Sequence, residues 1–142
     1  MEDDENPMPD TMSDPEKVAA TVRLLTLDKQ TENHFLGHRK PGGIGRIYGG
    51  QVVAQALAAA QNTVDPARRP HSLHAYFLRG GDEDYRIEFS VARDFDGGSF
   101  SNRRVIAAQN GVPILNLTAS FHRQEDGLSH QMPMPEVLMP ED

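Results

Sequence analysis

From His71 to Arg123 apolar residues recur at every second position, and the pattern survives through stretches separated by turn residues. HSLHAYFLRG, DYRIEFSVARDF, SFSNRRVIAAQ and VPILNLTASFHR are divided by Gly80-Gly81-Asp82, Asp96-Gly97-Gly98 and Asn110-Gly111, all tight-turn chemistry. Strand side chains alternate between faces. Tyr85, Ile87, Phe89 and Val91 therefore share one face against Asp84, Arg86, Glu88 and Ser90, and Leu115, Leu117, Ala119 and Phe121 line up in the same way. The pattern predicts consecutive strands in an antiparallel meander, buried on one side.

Before these strands the period is helical. RIYGGQVVAQALAAA predicts a helix from about Gly50 to Val64, stopped by Asp65-Pro66. On a helical wheel Val52, Val53, Ala56, Leu57 and Ala60 form an apolar stripe, while Gln51, Gln55 and Asn62 fall opposite with Ala58 and Ala59 beside them. Alanines keep such a helix slim enough for a curved sheet to close on it. Further upstream, Pro15 to Leu27 predicts a short amphipathic helix with Asp14 as N-cap. HFLGHRK predicts a strand and PGGIGRIYGG a loop.

The 142 residues are enough for one domain with a core. The low mean hydropathy of -0.56 comes mostly from the two ends. Residues 1–14 read as a disordered acidic arm, 15–130 as the single domain, and 131–142 as a Pro- and Met-rich linker or tail. A formal charge of -7 argues against nucleic acid as a partner, since phosphate binding needs excess Lys and Arg. No cysteine is present, which excludes disulfides, thiolate zinc sites and a cysteine nucleophile. An acidic N-terminus and the lack of a long apolar run predict a cytoplasmic protein with no membrane partner.

Taken together, RIYGGQVVAQAL, RPHSLHAYFLRGGD, RDFDGGSFSNRRVIAAQNGVPI and LTASFHRQEDGLSHQ resemble the N-terminal half of the acyl-CoA thioesterase II family, from about Val22 to Met134. The resemblance implies a hotdog fold of the α+β class: an antiparallel sheet of five or six strands wrapped around a long central helix. It also implies two such units per chain, hydrolysis of acyl-CoA to fatty acid and CoA, and no cofactor. In the family an aspartate, a threonine or serine, and a glutamine of the second unit orient the attacking water. This chain would then be a half that lacks the trio and is paired with a second hotdog unit, in the same chain or as a homodimer. Gln51 and Gln55 are expected on the face turned toward that unit, or else exposed to solvent.

Thioester hydrolysis develops negative charge on a carbonyl oxygen, and N–H groups at a helix N-terminus can hold it. Gly50 and Gln51 are the candidate backbone donors, against the plainer reading that a glycine pair makes the turn into the helix or allows close packing. His71 is a candidate base, or a histidine hydrogen-bonded at a strand start. With His74 three residues on, the two imidazoles are expected on opposite faces. Arg103 and Arg104, one toward each face, are candidates for the CoA phosphates, or partners for Asp94 and Asp96. No metal site is expected, because a strand splits the His34 and His38 pair. The Asn116-Leu117-Thr118 sequon lies mid-strand and is discounted, and no nucleotide fingerprint occurs.

Two other functions compete with hydrolysis. One is a non-catalytic module that binds acyl-CoA or dimerises. The other is a hotdog dehydratase or hydratase, disfavoured because the helix offers Gln51 and Gln55 where that chemistry needs an acid or base.

Overall fold

The computed structural model describes residues 12 to 137. The expected acidic arm lies almost wholly outside the described residues. Ser13, rather than Asp14, caps the first helix, α1 (Asp14–Leu25). The Glu16 carboxylate accepts hydrogen bonds from the Ser13 N–H at 2.8 Å and from its hydroxyl at 2.6 Å. None of the α1 residues is buried, and Val18 and Val22 point outward.

Six strands form one antiparallel sheet in the order β1-β2-β4-β5-β6-β3. They are β1 (Asp28–Lys29), β2 (His34–Leu36), β3 (Arg68–Phe77), β4 (Glu88–Asp96), β5 (Phe100–Gln109) and β6 (Val112–Arg123). The two-residue β1 has no alternation to read and exists because Asp28 and Lys29 fold back on Leu36 and Phe35. Between β5 and β6, Asn110 and Gly111 have φ of 49° and 75°, the left-handed pair a two-residue hairpin turn requires.

The expected meander holds for β4, β5 and β6 and fails for β3, which pairs with β6 instead of β4. The cause is the connection 78–87, which works as a crossover rather than a turn. Leu78 and Arg79 donate to the Ile114 carbonyl, and the Gln109 amide holds both the N–H and the carbonyl of Asp82. The chain thus runs past the ends of β5 and β6, leaving β3 at the far edge of the sheet.

Helix α2 (Gly49–Gln61) packs against β3, β4, β5 and β6. Val52, Ala56, Ala59 and Ala60 meet Phe89, Val105, Leu115, Leu117 and Phe121 in the core. Ile87, Phe89 and Val91 are buried as the alternation predicts, whereas Tyr85 lies ahead of β4 and is half exposed. Val53 and Leu57, placed on the buried stripe by the wheel, are only partly covered, and Ala59 replaces them in the core. Ala56 has no exposed surface, so Ala56→Leu is expected to destabilise the fold by about 1–3 kcal/mol through overpacking. Urea unfolding measures this; an unchanged midpoint would show slack between helix and sheet. Among the described residues, no helix is long and apolar enough to cross a membrane.

Candidate functional site

The first turn of α2 is bare of polar caps. Tyr48 occupies the N-cap position without a side-chain bond. The Gln51 N–H donates to the Tyr48 carbonyl at 3.0 Å, and the Val52 N–H shares that acceptor at 3.4 Å. The N–H groups of Gly49 and Gly50 have no acceptor among the described residues. Of the two donors expected from sequence, Gly50 is therefore free and Gln51 is engaged, with Gly49 as the second free donor.

Aromatic rings lie over both glycines. A Cβ at Gly49 would lie 2.9 Å from the Phe77 ring, and one at Gly50 would collide with the Tyr48 ring. Both rings are largely exposed, so an apolar rim surrounds two uncovered donors at the positive end of a helix. The close-packing account and the donor account apply to the same residues.

The glutamines do not turn away from this chain. Gln55 is completely buried, and its Nε2 donates to the Leu24 carbonyl at 2.8 Å and the His38 carbonyl at 3.0 Å. Gln51 is buried as well. The helical wheel placed them opposite the core, but α1 and the segment after β2 cover that flank. Gln55 is a tie holding α1 to the body, a role invisible to periodicity because its acceptors are backbone atoms far away in sequence.

His71 sits in a β-bulge, where the register between β3 and β6 shifts from Pro70 opposite Phe121 to Ser72 opposite Ser120. The extra residue reverses the expected parity. His71 and His74 consequently lie on the same face, the one that carries Thr118 and Ser120, away from α2. The His71 Nε2 is 2.9 Å from the Ser120 hydroxyl, and its ring meets Phe100 and His122 edge-on. The sheet separates His71 from Gly50.

Arg103 and Arg104 do point to opposite faces. Arg103 is 1% exposed and donates to the Thr63 hydroxyl and carbonyl, to the Phe95 and Asn102 carbonyls, and to both oxygens of Asp96. Its guanidinium, together with the Ser101 hydroxyl, holds the Asp96 carboxyl below the usual aspartate range. Arg104 is exposed and pairs with Asp94 at 3.0 Å, holding that carboxyl low as well. Sequence reasoning missed Arg68, which donates to the Phe100, Gly97 and Gly98 carbonyls and so fixes the β4–β5 hairpin. It also missed Arg86, which donates to the Gly37 carbonyl and pairs with Asp28. Neither carries a local signal, since every one of these partners is remote in sequence.

A six-stranded antiparallel sheet holding a helix whose uncapped N-terminus is rimmed by aromatics defines a hotdog unit of the α+β class. Residues 38–122 match the family model described as the acyl-CoA thioesterase N-terminal domain, and the chain belongs to that family. It is 43% identical over 121 residues to acyl-CoA thioesterase 2 of Haemophilus influenzae, covering 85% of this chain and 42% of that protein. It is 41% identical to human acyl-coenzyme A thioesterase 8 over 120 residues, covering 84% of this chain and 38% of the relative. Among solved structures, acyl-CoA thioesterase II TesB2 from Mycobacterium marinum superposes with a TM-score of 0.73 at 41% identity, over 86% of this chain and 45% of that one. The chain thus spans less than half the length of these relatives.

Proposed function

We propose that this chain supplies the N-terminal hotdog unit of an acyl-CoA thioesterase that hydrolyses acyl-CoA to free fatty acid and CoA. The observation that carries the reading is the match of residues 38–122 to the family's N-terminal domain in a chain covering only 42% of the Haemophilus relative. In this reading the aspartate, threonine and glutamine that orient water belong to a second hotdog unit. This unit contributes a wall of the site and a place for the thioester oxygen. The Gly50 N–H, together with that of Gly49, faces the oxyanion, while the Gln51 N–H polarises the turn through Tyr48.

Arg103 is committed to Asp96 and Thr63, and Arg104 pairs with Asp94 on the sheet face of His71, away from α2. CoA phosphates held by Arg104 would therefore compete with Asp94 and lie across the sheet from the Gly49 and Gly50 donors. The second unit meets this one along β3. That strand lies at the sheet edge, and Leu73 and Phe77 on its helix-facing side are exposed. An unpaired edge beside apolar surface favours association with a second sheet.

Thiol release from acyl-CoA tests the reading on the complete two-unit protein and on this chain alone. Without the water-orienting groups the isolated chain is expected to be slower by about 10²–10⁴-fold. Comparable rates would show that catalytic groups reside here. Acyl-CoA binding without turnover, even with a second unit supplied, would establish the non-catalytic module instead.

A further inference from the structure

The segment leading into α2 rests on a carboxyl group with one buried, unpartnered oxygen. Glu83 is 5% exposed, and its Oε2 makes no hydrogen bond among the described residues. The backbone of the glycine-rich segment lies directly on it: a Cβ at Gly43 would be 2.7 Å from both the carboxyl carbon and Oε2. Main-chain pairing continues from there toward the helix, with the Glu83 N–H donating to the Gly45 carbonyl and the Ile47 N–H to the Gly81 carbonyl. Tyr48 and the two free glycine N–H groups follow immediately. The other side of the contact is rigid, because the Gln109 amide also donates to the Tyr85 carbonyl.

We propose that Glu83 is a positioning residue which, as a neutral carboxylic acid, seats residues 40–47 and so fixes the first turn of α2, and that ionisation of Glu83 loosens this segment. A carboxylate oxygen buried without a hydrogen bond is costly, and the chain relieves the cost by holding a proton or by exposing that oxygen to water. The charged groups around it are Arg39, Lys40 and Asp82. Arg39 does not neutralise Glu83: its Nε donates to the Glu83 carbonyl, and its Nη2 lies 3.8 Å from Asp84. Lys40 and Arg39 only partly offset burial, which raises the Glu83 carboxyl above the ordinary 4.5.

The sign follows from linkage. A carboxyl whose folded value is raised contributes its seating fully below 4.5 and loses that contribution as pH rises through the folded value. Across that interval the open population of the segment grows by up to about tenfold per pH unit, then levels off.

Amide hydrogen exchange on the chain as it stands, corrected for intrinsic base catalysis, reads this at Gly43, Ile47 and residue 83, whose N–H groups donate to the Lys40, Gly81 and Gly45 carbonyls. The wild type is expected to lose protection above pH 4.5, and Glu83→Gln to remain flat. The same rise in Glu83→Gln, or a flat wild type, would overturn the proposal. Should the variant not fold, carbon-detected titration of Glu83 in the wild type decides: a midpoint above 4.5 supports it, and one at or below 4.5 overturns it. The consequence for catalysis rests on the function proposed above, but the exchange readout does not, so either can fail alone.

Discussion

Replacing Arg103 with alanine is expected to destabilise the unit by about 1–3 kcal/mol for each buried Thr63 acceptor left unsatisfied, while Asp96, whose side chain is 51% exposed, is re-solvated. The side chain joins three parts of the fold: the turn after α2 through Thr63, the β4–β5 hairpin through Asp96 and Phe95, and its own strand β5. Truncation removes all of these bonds and leaves buried acceptors facing a void. Lysine is not a substitute, because one ammonium cannot reproduce a fork that reaches Thr63 and Asp96 together. Urea unfolding of wild type, Arg103→Ala and Arg103→Lys checks this, and a loss below about 1 kcal/mol for alanine would place the pair among weak surface pairs. The depressed Asp96 carboxyl gives a second reading. Its contribution is present above the ordinary 3.8 and is lost as pH falls through the lower folded value, so the acid limb should shrink in Arg103→Ala.

The second large effect is expected at Gln55. Gln55→Leu keeps the volume but removes the donor that serves the Leu24 and His38 carbonyls, at about 1–3 kcal/mol for each acceptor left unsatisfied in a buried position. Loss of the unpartnered Oε1 returns part of this. The loss should be local. With no residue of α1 buried, the Gln55 tie is a principal anchor of that helix, so α1 amides should exchange much faster while β5 and β6 keep their protection. Uniform loss of protection across the sheet would instead make Gln55 a global core residue.

The strand residues show why part of this was legible. Leu115, Leu117, Ala119 and Phe121 are buried because period-two alternation sorts side chains by face before any partner is known. The same logic gave Arg103 and Arg104 opposite faces. It failed for His71 and His74, since one bulged residue reverses parity and leaves no mark in composition. It failed for the glutamines because burial against α1 requires knowing where α1 returns. The glycine pair was visible as an anomaly, yet the rings over it come from Tyr48 beside it and from Phe77 on another strand.

The amino-acid order alone determined both helices and every strand except β1, the alanine-lined helix that a sheet can close on, and the family. These follow from local periodicity, turn chemistry and motif order, all read within a few neighbours. The tertiary structure decided that β3 joins β6 at the sheet edge, that Arg103 and Gln55 tie remote segments together, and that Glu83 lies beneath Gly43. These depend on contacts between residues distant in sequence, where backbone acceptors and desolvation set the energy and no local pattern records them.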